Sequence, residues 1–208
     1  MADIEQPPHR ERLKREQLAK ILSKLRDKYA KVRENAAKGL GRVENVEAVP
    51  ALTKALKDDA KEVRTAAMRA LADIGSAQAI TALISCISSP NPEMRSEAAH
   101  FLGAVRASRA APKLREALHL EHDLSAKEHM VEALGRMGDE PSIPLIASFL
   151  HDKESSVRWS AAWAIGTIGR ETKSPHIVEI LQHLETHHDK RVQHEAATAL
   201  RMISPNQV

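Results

Sequence analysis

Histidine is the residue type in this chain best suited to binding a metal ion. The chain has 208 residues, of which 11 are histidine, and several lie near its C-terminal end. His183 and His187 are four residues apart, which on one predicted helix brings both imidazoles to one side. His194 follows on the next predicted helix, so these three residues are the candidates for a zinc or nickel site. Surface histidines explain the pattern more simply, and we predict no metal and no cofactor.

The two tryptophans of the chain, Trp159 and Trp163, are the strongest candidates for binding a partner. They are four residues apart and therefore share one face of a helix. Exposed tryptophans are typical anchors of protein interfaces, because each buries a large rigid surface on binding. In the alternative interpretation the rings fold over and pack against the next part of the chain.

No pattern in the sequence predicts catalysis. The chain contains no glycine-rich phosphate loop, no nucleophile elbow and no HExxH motif. Its one cysteine, Cys86, lies among Leu83, Ile84 and Ile87 and is predicted to be a small buried apolar residue. We therefore predict no catalytic residue and favour a non-catalytic binding module over an enzyme.

A repeat of about 31 residues organises the chain. The motif that begins at Val32 returns at Val63, Met94, Ala126, Val157 and Val192, so the starts differ by 31, 31, 32, 31 and 35 residues. Within each copy the apolar residues fall at offsets 0, 4, 5, 8 and 11, which is one stripe of an α-helix that we call helix B. A single hairpin is too small to bury its own apolar face, so stacked hairpins are predicted.

A shorter apolar pattern precedes each helix B and predicts a helix A. Its start is marked by proline at four places, since a first helical turn loses nothing from the missing N–H; they are Pro50, Pro112, Pro144 and Pro175. Glycine recurs at one offset inside helix B, at Gly41, Gly103, Gly135 and Gly166, which predicts close helix packing there. Gly75, Gly138 and Gly169 share a later offset and are predicted to end their helices.

The composition sets further limits. The formal net charge of +3 does not by itself predict a nucleic-acid partner, and one cysteine allows no internal disulfide. No apolar run approaches the roughly 20 residues of a membrane span, and the N-terminus lacks the apolar core of a secretory signal. We expect a cytoplasmic protein, with an N-terminal flexible or capping extension over residues 1–16, one repeat domain over 17–203 and a tail over 204–208. We also expect a monomer.

The repeated Asp–Val-Arg–Ala-Ala–Leu-Gly unit resembles the HEAT-like repeats first associated with phycobilisome lyases. The resemblance covers roughly residues 17–203 and implies an all-α fold, a right-handed α-solenoid of about six helical hairpins. It also implies a ladder of ion pairs between repeats. The pattern shows an acid six residues before a base in four repeats, at Asp27/Arg33, Asp58/Arg64, Glu121/Lys127 and Asp152/Arg158.

One base recurs in each of five repeats, at Arg33, Arg64, Arg95, Lys127 and Arg158. Bases at regular spacing could follow the phosphates of a nucleic acid. Ion pairs of the ladder explain these bases better than phosphate binding does. The exception is Arg95, because the residue six positions before it is Ser89 rather than an acid, so Arg95 is expected to be a free base. The last repeat has His187 and Gln193 at the two positions, and the ladder is expected to be incomplete there too.

The resemblance places offsets 2 and 6 of helix B on the concave surface. We predict that a protein partner binds there, with Trp159 and Trp163 as anchors and with polar contacts from Arg69, His100, Glu128, Glu132 and His194. Two alternatives stay open. The resemblance implies a bilin lyase or other chromophore-handling protein, and some HEAT-like proteins bind nucleic acid, although the mixed charges of this surface disfavour that.

His194-Glu195 is similar to the His-Glu pairs with which deoxyhypusine hydroxylase, another HEAT-type protein, holds a di-iron centre. That centre needs several such pairs. This chain has one, and the fourth repeat carries Glu128-His129 in the reverse order. The resemblance therefore does not predict iron.

Overall fold

The computed structural model describes the backbone of residues 9–203 and the side chains of residues 16–203, and over this range it is all-α. Twelve α-helices alternate as helix A and helix B within these residues, so the six predicted hairpins are confirmed. Their bounds are α1 His9–Lys24, α2 Ala30–Val43, α3 Val49–Ala55, α4 Lys61–Ile74, α5 Ala77–Cys86, α6 Pro92–Ala104, α7 Ala111–Leu118, α8 Leu124–Met137, α9 Ile143–Ser148, α10 Ser155–Thr172, α11 Pro175–Leu184 and α12 Lys190–Ile203. Short 3₁₀ segments precede α3, α7 and α9, and one follows α9.

The chain divides into two compact units, residues 1–82 and residues 83–208. The boundary falls inside α5. The predicted extension over residues 1–16 ends inside α1, while residues 1–8 and the tail over 204–208 lie outside the described residues. One repeat domain over 17–203 stays a prediction.

Four A helices begin at the prolines that the sequence predicted as helix starts. Pro50, Pro112, Pro144 and Pro175 each occupy the first or second position of their helix. The apolar stripe of each helix B is buried against its neighbours; in α8 it consists of Ala126, Met130, Val131 and Leu134, each at most 1% exposed. Burying a side chain such as Leu134 contributes about 1.5–3 kcal/mol relative to leaving it in water.

Glycine inside helix B allows the backbones of successive B helices to touch. An ideal Cβ on Gly103 would lie 2.8 Å from the Cα of Ala133, and one on Gly135 would lie 2.8 Å from the Cα of Ala164. Gly41 in the first unit meets Ala70 in the same way, at 2.8 Å. The predicted close packing is confirmed, and its reason is that even a methyl group does not fit between these helices.

The last interval between repeat starts, 35 residues from Val157 to Val192, is long because α10 has an extra turn. Gly75 and Gly138 end α4 and α8 with φ of 63° and 68°, as predicted. Gly169 does not end its helix, so that prediction is wrong. The helix continues to Thr172 and reaches 18 residues, against 14 in α8, and Lys173 closes it with φ of 52°. Gly169 instead gives room to Ile177, whose Cγ2 would lie 2.7 Å from an added Cβ.

An ion-pair ladder joins successive repeats within each unit. Arg33 donates from Nε and Nη2 to the two carboxylate oxygens of Asp58, at 2.7 Å each. In the second unit the corresponding pairs are Arg95–Glu121 at 2.7 Å, Lys127–Asp152 at 2.9 Å and Arg158–Asp189 at 2.6 Å. The expectation that Arg95 is a free base is therefore wrong, because the carboxylate comes from the following repeat.

Where the base is arginine, the residue six positions before it accepts a hydrogen bond from it through its backbone carbonyl rather than its side chain. Nη1 of Arg95 donates to the carbonyl oxygen of Ser89 at 2.9 Å, and Arg158 does the same to Asp152 at 2.8 Å. Because a carbonyl is present whatever the side chain, serine serves as well as aspartate for this bond within the repeat, although it cannot supply a ladder carboxylate. At the last step, Asp189 supplies the carboxylate, and Gln193 Nε2 donates to the His187 carbonyl at 2.5 Å. The expected gap at this step is absent.

Candidate functional site

Trp159 and Trp163 lie on α10 of the second unit and are both half-buried. They share a face of the helix, as their spacing predicts. Neither ring is as exposed as an unpacked surface tryptophan, because residues of the neighbouring B helices cover part of each. The interpretation that the rings pack against other repeats is thus partly correct, and neither tryptophan is fully buried.

Arg136 and Gly135 of α8 hold Trp163. The guanidinium carbon of Arg136 lies over the indole ring, 5.7 Å from its centroid. Cζ3 of Trp163 lies 3.2 Å from the position of an added Cβ on Gly135, so this glycine makes room for the ring. Arg136 is oriented by Glu132, one turn earlier, at 3.6 Å. A cation over an indole within about 6 Å is attractive, which helps to fix both side chains.

Arg191, the second residue of α12, packs on Trp159. Its guanidinium carbon lies 5.6 Å from the ring centroid. Arg191 itself is exposed. Each tryptophan is therefore paired with an arginine from a different neighbour, one from the preceding repeat and one from the following repeat. The two rings are preorganised before any partner arrives.

A polar cluster lies between α6 and α8. Ser96 Oγ is 2.7 Å from Nδ1 of His129 and 2.9 Å from Oγ of Ser125. The exposed His100 meets His129 edge to face, with ring centroids 5.3 Å apart. Ser96 is 5% exposed, so these bonds satisfy a buried hydroxyl and stabilise the contact between the two helices.

The remaining predicted partner-binding residues are distributed over several B helices and differ in exposure. Glu128 is half-buried on α8 and makes no ion pair within residues 16–203, and His194 is exposed on α12. Arg69 is exposed on α4 in the first unit. We give the name α8–α10–α12 surface to the two tryptophans, the arginines that contact them and the predicted polar residues on the last three B helices: Glu128, Glu132, Arg136, Trp159, Trp163, Arg191 and His194.

The candidate metal ligands His183 and His187 do not share a helix, contrary to the prediction from their spacing. His183 is exposed on α11, which ends at Leu184, so His187 lies beyond that helix. His187 is only 9% exposed. No group of three or more histidine, cysteine or carboxylate side chains within the described residues is arranged to hold a metal ion.

Two hydrogen bonds fix the tautomer of His187. Its Nε2 donates to the carbonyl oxygen of Leu150 at 3.1 Å, and its Nδ1 accepts from the backbone N–H of Asp189 at 3.1 Å. The rings of His188 and His151 lie 4.2 and 5.8 Å away, centroid to centroid. Burial is the main cause of a lowered His187 pKa, and His188 lowers it further.

Cys86 is buried, and burial raises the pKa of its thiol. The prediction of a small buried residue is confirmed. A thiol that is harder to ionise is a poorer nucleophile, which agrees with a packing role.

The pattern of HEAT repeats matches residues 18–87, 62–128 and 123–201. The chain belongs to the HEAT repeat family. No curated protein matches the sequence. Across the described residues, no helix combines the length and the apolar character needed to cross a membrane.

Solved structures with the same fold include natural and designed repeat proteins. The complex of CpcE and CpcF of phycocyanin lyase from Nostoc sp. PCC7120 has 28% identity and a TM-score of 0.64, with 98% of this chain and 80% of that chain covered. A designed armadillo repeat protein in complex with the peptide (KR)4 has 20% identity and a TM-score of 0.59, over 90% of this chain and 99% of that one. An engineered protein has 23% identity and a TM-score of 0.58, over 91% and 97%. The predicted α-solenoid class is confirmed.

Proposed function

We propose that this protein is a non-catalytic scaffold or adaptor that binds a segment of a protein partner on the α8–α10–α12 surface. The observation that carries the proposal is the pair of partly exposed tryptophans, each contacted by an arginine from a neighbouring repeat. Tryptophan and arginine are the residue types most enriched among energetically dominant interface contacts. Preorganised rings lose little conformational entropy when a partner covers them, which favours affinity.

The polar residues around the rings give the surface specificity rather than most of its affinity. Glu128 offers a carboxylate without an ion pair within residues 16–203, and His194 offers an exposed imidazole. His100 continues the surface on α6. These groups hydrogen-bond to the polar atoms of a partner and reject partners that leave them unsatisfied.

A capture experiment tests this proposal. Wild type and the double variant Trp159→Ala/Trp163→Ala are used as bait in native lysate, and retained proteins are quantified by mass spectrometry. The control, His176→Ala/Glu179→Ala, changes two exposed side chains of α11. We expect one partner to be retained by wild type and control and lost by the folded tryptophan variant, since one anchor contributes about 2 kcal/mol, or about 30-fold in affinity. Equal retention by all three would contradict the proposal.

Chromophore handling is a second candidate, supported by the similarity to the CpcE and CpcF complex of phycocyanin lyase. Two accessible indoles suit contact with a flat conjugated ligand. The test is the visible absorbance of the protein after incubation with a linear tetrapyrrole. A shifted band that Trp159→Ala/Trp163→Ala abolishes would favour this candidate, and an unshifted band would exclude it.

A further inference from the structure

The arginines without a carboxylate partner are concentrated at one end of the second unit. Five arginines of this unit form ion pairs: Arg95, Arg106, Arg115, Arg136 and Arg158. Among the described residues four others have no carboxylate within ion-pair distance, namely Arg109, Arg170, Arg191 and Arg201. Three of these four belong to α10 and α12, the helices that carry or flank the tryptophans.

Neutral hydrogen-bond acceptors orient the guanidinium groups of Arg170 and Arg201, and Arg191 lies over the Trp159 ring. Arg170 donates from Nη2 to Oγ1 of Thr167 at 2.9 Å and from Nη1 to Sδ of Met202 at 3.5 Å. Arg201 donates from Nη2 to Oγ1 of Thr198 at 3.3 Å. Hydroxyl and thioether acceptors orient a guanidinium but leave its charge uncompensated. The three side chains are thus oriented cations with unused donors.

The position of Arg201 shows how the last repeat differs from the others. Its offset in the repeat is the one that Gly103, Gly135 and Gly166 occupy. In those repeats the glycine lets the next helix B approach, whereas no described helix packs on α12 at Arg201. A long basic side chain therefore occupies the position where earlier repeats are closely packed.

Stacking on tryptophan leaves the arginine donors available. A guanidinium that lies over an indole ring contacts it through its flat face, while its N–H groups point outward in its own plane. The guanidinium carbon of Arg191 lies 5.6 Å from the centroid of the Trp159 ring. A carboxylate is the natural ligand for such an edge, since its two oxygens match two parallel N–H groups.

We propose that the partner segment is acidic and places carboxylates on Arg170, Arg191 and Arg201 while an apolar side chain covers Trp159 or Trp163. This inference rests on the proposed function. The acids near α10 and α12 do not neutralise these cations, because Asp189 is paired with Arg158 and Glu171 with Arg106, which leaves Glu154 and Glu195. Glu128 and Glu132 lie on α8, at the opposite edge, so the charges also give the bound segment a direction.

Nucleic acid is the competing occupant, because phosphates also bind arginine. The described surface favours an acidic peptide, since Glu128 and Glu132 on α8 would repel a continuous phosphate backbone. A nucleic acid is therefore an outcome of the test rather than the proposal.

A random 12-residue peptide library displayed against the full-length protein tests the inference. Four baits are used: wild type, Trp159→Ala/Trp163→Ala, Arg170→Gln/Arg191→Gln/Arg201→Gln, and His176→Ala/Glu179→Ala as control. Circular dichroism first establishes that each variant is folded. We expect wild type and control to enrich peptides that combine Asp or Glu with an apolar residue. The affinity of the best peptide should fall at least about 10-fold in the arginine variant and should weaken as salt is raised.

Each other outcome has a definite meaning. Basic or uncharged peptides that need the tryptophans but not the arginines would overturn the acidic partner and leave the proposed function intact. Peptides that need neither set, or a selection that enriches none, would contradict both. A 20-base-pair DNA duplex that binds more tightly than the best peptide, and needs the arginines, would overturn the acidic peptide in favour of nucleic acid.

Discussion

Arg95 and Glu121, 26 positions apart in sequence, form a bidentate ion pair with two hydrogen bonds of 2.7 Å. The Glu121 side chain is 3% exposed and that of Arg95 is 20% exposed. Burial alone would raise the pKa of Glu121, but hydrogen bonds from Arg95 and from the backbone of Asp123 outweigh it, so this pKa is lowered. The pair joins two consecutive repeats.

Removing the arginine of this pair should destabilise the second unit. We expect Arg95→Met to lower the free energy of unfolding by about 2 kcal/mol, because Glu121 is left as a nearly buried carboxylate without its partner. Urea denaturation followed by circular dichroism measures the change. Arg109→Met is the matched control, since Arg109 is exposed and unpaired among the described residues, and it should change stability by less than about 0.5 kcal/mol. Equal losses in the two variants would contradict the ladder.

The glycines of helix B make a second prediction. Gly103→Ala should lower the free energy of unfolding by about 1–3 kcal/mol, because the new methyl group meets the Cα of Ala133 at 2.8 Å and forces α6 and α8 apart. Thermal or urea unfolding measures the loss.

Gly39→Ala is the control for that substitution. Gly39 also lies inside a helix B, but the nearest atom to its added Cβ is Cγ2 of Ile21 at 3.9 Å. Alanine fits there and improves helix propensity, so stability should stay equal or rise by up to about 1 kcal/mol. A Gly103→Ala protein as stable as Gly39→Ala would show that the close approach does not constrain the helices.

The sequence predicts features that depend on the pattern within one repeat, but not the partner that a residue meets in another repeat. Period, helix order, the close packing at Gly103 and Gly135, and the burial of Cys86 all follow from local patterns of residue size and polarity. The ion-pair partner of Arg95 could not be predicted from the spacing of acids and bases within one repeat, because its carboxylate comes from the following repeat. The length of α10 did not follow either, since Gly169 resembles the helix-ending Gly138 and only its contact with Ile177 distinguishes it.

The candidate site was predicted in part. Trp159 and Trp163 stand out by residue type, but the arginines that hold them do not, because Arg136 and Arg191 lie outside offsets 2 and 6. His187 could not be predicted as a buried residue, since its role depends on the Leu150 carbonyl from the preceding repeat. Arg201 was detectable in hindsight, as the arginine at a position where other repeats have glycine.

His187 should make stability depend on pH. Its pKa is lowered in the folded state, so below the ordinary value of 6.5 the unfolded chain binds more protons at this residue than the folded chain. Its contribution is therefore fully present above that pH and is progressively lost as the pH falls below it. Protonation would place an N–H of Nδ1 against the N–H of Asp189.

Urea unfolding at pH 7.5 and at pH 5.5 measures this effect. Between these values wild type should lose more stability than His187→Gln, whose amide can donate to Leu150 but cannot titrate. His183→Gln, a change at an exposed histidine, is the control and should behave like wild type. If His187→Gln lost as much stability as wild type, His187 would not be the titrating group.

Stacking of Arg191 on Trp159 should protect that ring from solvent. In a Trp163→Phe background the fluorescence of Trp159 is observed alone, and acrylamide quenching measures its accessibility. We expect Arg191→Ala to increase the quenching constant, because the guanidinium no longer covers the ring. Lys190→Ala, a change to the adjacent exposed cation, should leave it unchanged. Identical quenching in all three proteins would contradict the stacked arrangement in solution.

Hydrogen–deuterium exchange of the protein with and without its captured partner tests the binding surface most directly. Backbone amides of α8, α10 and α12 should exchange more slowly in the complex, whereas amide exchange in α9 and α11 should stay unchanged. Protection confined to α9, α11 or the first unit, with no change in α10, would contradict the claim that the two tryptophans and their arginines form the partner-binding surface.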